Sequence, residues 1–268
     1  MGGFWNTGGS TVPERLEKFA TENNSILCFG IDPNGEEKDI YKYYTSIVDA
    51  LLERGLVSAI KPNYAYFAAR GFNGLKVLKR VMERYEGKTF VILDAKRGDI
   101  GRSSDAYSRE VFDFWGADAV TVSPYMGSDS VGPFLQKGKV VYVLGRTSNP
   151  GAKDFQELKL KNGKYVYEEV CRKAASWGAG LVVGATSSTA LGKVVKGVGK
   201  DTPLLIPGIG KQGGSFDVLK VLRGNPFIHR VNSSSSIAQA WRKRKGGPVE
   251  AAVKEAEFLN TKINKRVF

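Results

Sequence analysis

Eight short apolar runs constrain the fold of this chain more than any other feature. They are Ile26–Ile31, Ser58–Lys61, Phe90–Asp94, Ala119–Val122, Val140–Leu144, Leu181–Val183, Leu204–Ile206 and Phe227–Asn232. Most are continuous and β-branched, as strands buried on both faces should be. Between them lie amphipathic helical patterns such as Tyr41–Arg54, Gly74–Tyr85, Ser104–Trp115, Tyr165–Trp177 and Phe216–Leu222, several of them closed by glycine, as at Gly55, Gly87 and Gly116. Eight strand–helix alternations in 268 residues predict an α/β chain folded as a (β/α)₈ barrel, one domain over residues 1–268, rather than an open doubly wound sheet. A helix over Val12–Asn23 is expected to close the bottom of the barrel, with a helical segment near 237–264 at the other end of the chain. The stretch from Arg146 to about Gly163, with Asn149-Pro150-Gly151 in it, reads as a long loop of the kind that often serves as a lid.

Composition narrows the chemistry. No apolar run approaches the roughly 20 residues that a membrane helix needs, and the first residues lack the basic start and apolar stretch of a signal peptide. A cytoplasmic protein is expected. Cys28 and Cys171 fall in apolar or helical segments and read as buried thiols, not as a disulfide or a metal site. His229 is the only histidine, so a histidine-rich metal site is excluded, and no serine stands in a nucleophile-elbow sequence. The net charge of +13 favours anionic partners: nucleic acid, acidic membranes or phosphorylated metabolites. The basic residues are scattered, however. Their one dense run, Arg242-Lys243-Arg244-Lys245, reads as a solvated turn between helical pieces, and no nucleic-acid module accompanies it.

In such a barrel the chemistry sits at the C-terminal ends of the strands. The first strand ends in Asp32-Pro33, the second in Lys61-Pro62-Asn63 and the third in Asp94-Ala95-Lys96, with Asp99 just beyond. In a strand, residues two apart share a face, so Asp94 and Lys96 should project together. Any one of these residues is explained by a structural ion pair; the convergence of three aspartates and two lysines on one rim points to a site. The fifth strand leads to Thr147-Ser148-Asn149-Pro150 and the eighth to Asn232-Ser233-Ser234. After the seventh comes Pro207-Gly208-Ile209-Gly210-Lys211-Gln212-Gly213-Gly214, whose glycines let backbone N–H groups approach an anion. Loops after strands seven and eight are the recurrent phosphate site of these barrels, so the ligand is expected to be a phosphomonoester.

Taken together, these segments resemble the orotidine 5′-phosphate decarboxylase family. The likeness is carried by Phe29-Gly30-Ile31-Asp32-Pro33, Lys61-Pro62-Asn63, Asp94-Ala95-Lys96-Arg97-Gly98-Asp99-Ile100, Thr147-Ser148-Asn149-Pro150-Gly151, Val183-Gly184-Ala185-Thr186 and Pro207-Gly208-Ile209-Gly210-Lys211-Gln212. The Asp-x-Lys-x-x-Asp core alone is shared with sugar-phosphate decarboxylases and aldolases. The resemblance implies a decarboxylase without metal or organic cofactor that makes UMP from orotidine 5′-phosphate. Lys96 would protonate C6 of the pyrimidine, Asp94 would lie against the substrate carboxylate, and Lys61 would complete the charge alternation. Asp32 would bind the ribose and Ser148 the pyrimidine. Pro207, Gln212, Gly213, Ser234 and Ser235 would line the nucleotide's place, with Gln212 bridging base and phosphate. Asp99, Ile100 and Ser103 would be lent across a homodimer interface to the neighbouring subunit's site. The rival readings are a keto-sugar-phosphate relative that recruits magnesium, and a silent barrel that binds nucleotide or nucleic acid.

One position departs from the family pattern. Where members carry an arginine that grips the phosphate, this chain has Ser235. A charge-assisted contact of that kind contributes roughly 1.5–3 kcal/mol. Three explanations stay open: a mutated position, replacement by Lys211 or Arg230, or a weakened enzyme. The bland alternative is that Ser235 or Ser236 caps the helix that follows.

Overall fold

The structure is a computed structural model that describes residues 14–34, 37–209 and 215–268. Eight parallel strands close into a barrel in chain order: β1 (Leu27–Ile31), β2 (Ala59–Pro62), β3 (Phe90–Arg97), β4 (Ala119–Val122), β5 (Val140–Arg146), β6 (Gly180–Val183), β7 (Leu204–Pro207) and β8 (Arg230–Ser233), with β8 pairing back to β1. Helix α1 (Glu14–Glu22) precedes the barrel. Then follow α2 (Ile40–Glu53), α3 (Tyr64–Ala68), α4 (Gly71–Tyr85), α5 (Gly101–Arg109), α6 (Ser128–Val131), α7 (Ala152–Phe155), α8 (Val166–Ser176), α9 (Ser188–Val198), α10 (Ser235–Ala238) and α11 (Pro248–Val267). This is the (β/α)₈ barrel that the eight-fold alternation implies. No helix among the described residues is long and apolar enough to cross a membrane.

The alternation of a strand's side chains divides the core in two. Phe29, Ile60, Val91 and Leu93 face outward and pack with the helices, among them Ile47 and Leu51 of α2 and Leu78 of α4. Cys28, Ala59, Phe90, Ile92 and Tyr142 face the barrel axis. Leu16 of α1 joins that axial cluster, so α1 plugs the N-terminal end of the barrel. Arg15 holds it there through Asp118 at 2.6 Å, while the same carboxylate accepts the Val91 N–H at 2.9 Å.

Three segments differ from the sequence expectation. Phe227 and Ile228 belong to a 3₁₀ turn, not to β8, because Pro226 fixes the backbone at its start. The helix expected over Ser104–Trp115 begins at Gly101 and passes into a π-turn at Glu110–Phe114. The segment after Arg146 is folded on itself: Gln156 bonds the Thr147 N–H at 2.8 Å, Arg146 pairs with Glu157 at 2.7 Å, and Leu160 pairs with Lys164. The basic run does form a turn between helical pieces: Arg242 ends a 3₁₀ turn at Ala240–Arg242, and Lys243, Arg244 and Lys245 make the bend that leads to α11.

Candidate active site

At the C-terminal end of the strands a cavity of about 600 Å³ opens along the barrel axis. Its floor follows from the same period of two. Two residues beyond Cys28 stands Gly30, two beyond Ala59 stands Lys61, and two beyond Ile92 stands Asp94; all three line the cavity. Gly30 is required by close approach, because a Cβ there would fall 1.9 Å from the Ser234 hydroxyl oxygen. Asp32, Pro207, Ser234 and Ser235 line the same space.

Asp94 is the electrostatic centre. Its Oδ2 accepts from Lys61 Nζ at 2.7 Å and its Oδ1 from Lys96 Nζ at 2.6 Å. Thr121 Oγ1 donates to the same Oδ1 at 2.9 Å. Burial pushes the Asp94 carboxyl up, but the two ammonium groups outweigh it and hold it far below the usual carboxylate range. Burial likewise pulls Lys61 down, and Asp94 with Asp32 more than reverses this, so Lys61 stays charged well above the ordinary lysine range. Directly beneath, burial pushes the Cys28 thiol up to about 12, so it is an inert wall of the barrel rather than a nucleophile.

Lys96 reaches Asp94 by an irregular route. The register between β3 and β4 shifts between Leu93 and Arg97, and Lys96 adopts φ 46°, the left-handed region that costs a non-glycine residue about 1–2 kcal/mol. The Thr121 hydroxyl accepts the Lys96 N–H at 3.0 Å and so pins the bulge while donating to Asp94. Backbone strain held in this way at a charged side chain is a mark of functional sites. The Lys96 side chain is 52% exposed, against 6% for Lys61, so one ammonium is locked and the other is presented.

The rest of the wall offers hydrogen bonds. Asp32 Oδ1 and Asn232 Oδ1 are buried with no hydrogen-bond partner among the described residues, two acceptors suited to a polyhydroxylated ligand. Asn232 donates through its amide nitrogen to Ser234 at 3.3 Å, and Ser233 and Ser236 share a hydroxyl bond of 2.7 Å. Neither Ser235 nor Ser236 caps α10; Ser234 is the N-cap and makes no side-chain capping bond.

The structure thus brings Lys61, Asp94, Lys96, Asp32, Pro207, Ser234 and Ser235 to one place, and leaves four expected residues out of it. Asp99 turns back on its own chain, its Oδ1 accepting the Ile100 N–H at 2.8 Å. Ile100 and Ser103 are exposed on the outside of the barrel. Ser148 packs against Gly184, just past the end of β6, where an added Cβ would lie 3.0 Å from its own, and does not line the cavity. Gln212, Gly213 and Lys211 lie outside the described residues. Arg230 is excluded as a phosphate contact: it begins β8, at the opposite end of the barrel, where it donates to Leu16, Phe227 and His229 carbonyls.

Sequence reasoning missed Thr121 and Gln239 and placed Asn232 at the rim without a role; Asn232 and Gln239 both line the cavity. Thr121 had a signal: it is the one hydroxyl in an apolar strand and shares a face with Ala119. Gln239 had none, since its place depends on how α10 turns over the barrel mouth. Among the described residues no group of three His, Cys, Asp or Glu could hold a metal ion.

Comparison with known proteins bears on this geometry. Residues 25–224 match the family described as orotidine 5′-phosphate decarboxylase / HUMPS. Among curated relatives, the orotidine 5′-phosphate decarboxylase of Roseiflexus castenholzii is 42% identical over 219 residues, which cover 76% of this chain and 79% of that protein. Among solved structures, Leishmania donovani OMP decarboxylase has a TM-score of 0.81 at 34% identity, covering 93% of this chain and 98% of that one. Leishmania donovani UMP synthase also gives a TM-score of 0.81, at 36% identity; 94% of this chain covers 56% of that longer one.

Proposed function

The chain belongs to the orotidine 5′-phosphate decarboxylase / HUMPS family, and from that premise we propose that it is a lyase converting orotidine 5′-phosphate to UMP and CO₂ in pyrimidine biosynthesis. The observation that carries this is the Lys61–Asp94–Lys96 chain of charge, in which Lys61 and Asp94 line the cavity and Lys96 joins them through Asp94, with contacts of 2.7 and 2.6 Å.

The chemistry suits those groups. The bond between C6 and the carboxylate breaks, CO₂ leaves, and the electron pair stays on C6 in the ring plane without π delocalisation. A fixed ammonium beside C6 stabilises that pair as it forms and then gives it a proton. Lys96 has the exposure for that task, and its strained backbone fixes its direction. Two unit charges about 4 Å apart interact by roughly 4 kcal/mol at an effective dielectric near 20. Asp94 beside the substrate's own carboxylate would therefore disfavour the bound acid until CO₂ departs, while Lys61 keeps Asp94 ionised. Asp32 and Asn232 offer the ribose hydroxyls acceptors that have no partner among the described residues.

The site is completed by a second copy of the chain. Asp99 does not reach the cavity of its own barrel, and the surface around it is apolar and exposed: Ile100 at 57%, Tyr125 at 89% and Met126 at 49%. The loops that carry these residues are joined where Ser123 N–H donates to the Arg97 carbonyl at 2.7 Å. Such a patch beside a catalytic strand fits a homodimer that exchanges Asp99, Ile100 and Ser103. A cytoplasmic location accords with the two buried free cysteines.

The test is the loss of orotidylate absorbance on adding purified protein, with and without EDTA. Turnover indifferent to EDTA is expected; turnover abolished by EDTA, or absent while a keto-sugar phosphate is consumed, would replace this reading with that of the metal-dependent relatives. Mixing Asp99→Ala with Lys96→Ala protein should restore part of the activity, and no recovery would mean self-contained sites.

A further inference from the structure

The β8 end of the cavity, lined by Ser234, Ser235, Ser236 and Gln239, offers hydroxyls and an amide but no cation among the described residues. Lys61 is the one cation in the described lining, and it is committed to Asp94 at 2.7 Å. A phosphate dianion bound there would lack a counter-charge. A second cavity of about 440 Å³ adjoins this end and shares Ser235, Ser236 and Gln239 with the first as a common wall. Its other side is basic, formed by Arg242, Lys243 and Arg244.

We propose that Lys243, reached across the wall at Ser235, is the cation that holds the phosphate end of the nucleotide. This rests on the reading of the cavity as an orotidylate site. The short turn after α10 makes it possible: Lys243 N–H closes onto the Ala240 carbonyl at 3.0 Å, which folds the basic run back beside Ser235. Of the three basic residues, Arg244 is spent on Glu255, with its Nε 2.9 Å from the carboxylate, and Arg242 lies over the Trp241 ring at 5.4 Å. Lys243 is exposed and has no acidic partner among the described residues. A serine at position 235 is the condition for this arrangement, because an arginine side chain there would occupy the shared wall. The chain has moved its phosphate cation eight residues along rather than lost it.

The experiment compares steady-state kinetics of the full-length protein and its Lys243→Gln, Lys245→Gln and Ser235→Arg/Lys243→Gln variants. Lys245 belongs to the same basic run but lines neither cavity. Lys243→Gln should raise KM for orotidine 5′-phosphate about tenfold or more and lower the preference for orotidine 5′-phosphate over orotidine by the same factor. Lys245→Gln should leave KM as it is, and the double variant should recover it. An unchanged KM in Lys243→Gln overturns the proposal, as does an equal rise in Lys245→Gln, which would mark a diffuse field effect. Thermal melts of each variant separate misfolding from lost grip. If the wild-type protein does not turn over orotidylate, the functional reading fails on its own, and titration calorimetry with inorganic phosphate still tests Lys243: binding weakened by Lys243→Gln supports the site, and equal binding ends it.

Discussion

The two ends of the barrel axis bury charge in opposite ways. At the C-terminal end, Lys61, Asp94 and Lys96 form a chain in which a carboxylate is shared by two ammonium groups and faces an open cavity. At the N-terminal end, Arg230 is fully buried and is held by the carbonyls of Leu16, Phe227 and His229, with no carboxylate partner among the described residues. Burial lowers its guanidinium to about 10, the direction expected of a cation compensated only by dipoles. One end keeps its charges paired with one another and displayed; the other keeps a lone charge sealed under α1. The contrast separates function from stability along one set of strands, as the barrel architecture generally does.

Replacing the displayed charge should produce the largest effect. Lys96→Ala removes the group proposed as proton donor and is expected to lower kcat by at least about 10²–10⁴-fold, while the melting temperature changes little because the side chain is half exposed. Binding of UMP should remain measurable by calorimetry. Retained turnover would show that another group protonates C6, and a large fall in melting temperature would show that the upper charges also hold the barrel together.

The sealed charge should answer the other way. Arg230→Met roughly keeps the volume but takes one donor from each of three carbonyls. At about 1 kcal/mol for each lost bond, the expected loss is about 3 kcal/mol, or roughly 10 °C in melting temperature for a chain of this size. The kcat of the folded fraction should stay close to wild type, since Arg230 stands at the other end of β8 from Asn232 and the cavity. An unchanged melting temperature would mean that burying the guanidinium costs as much as its hydrogen bonds return.

The upper end was the more legible in sequence. Its strands announce themselves by β-branched runs, and strand-end charge in Asp32, Lys61 and Asp94 needs only the period of two to be placed on the axis. The bulge was not legible: nothing marks Lys96 for a positive φ, because the residue is held there by Thr121 from another strand rather than by its own propensity. Asp99, Ile100 and Ser103 matched a sequence pattern, yet their own barrel does not bring them to the cavity, which no period of two could foretell. Arg230 misled for the converse reason. Its number places it near the phosphate loops, but its place at the start of β8 sends it to the floor. Ser235 pointed to a missing cation, and only the turn after α10 brings Lys243 into reach.

The smallest expected effect tests the sealed end without removing its charge. His229 is buried beside Arg230, and its Nδ1 accepts the Leu204 N–H at 3.2 Å. Burial, and then the neighbouring guanidinium, lower its pKa from 6.5 to about 3. The folded state therefore keeps the ring neutral where the unfolded chain binds a proton. Between pH 6.5 and about 3 the unfolded state holds more protons, so this group's contribution is complete above 6.5 and is lost as the pH falls. The slope from one such residue is at most about 1.4 kcal/mol per pH unit. In His229→Asn the amide oxygen can accept the same N–H and does not titrate. Its stability at pH 7.5 should lie near wild type, and its unfolding free energy should fall less steeply from pH 6.5 to 4.5 than that of the native chain. Carboxylates common to both proteins cancel in the difference. Parallel curves would mean that the ring is already charged in the folded state, with Arg230 beside it, and the floor of the barrel would then be wetter than its burial implies.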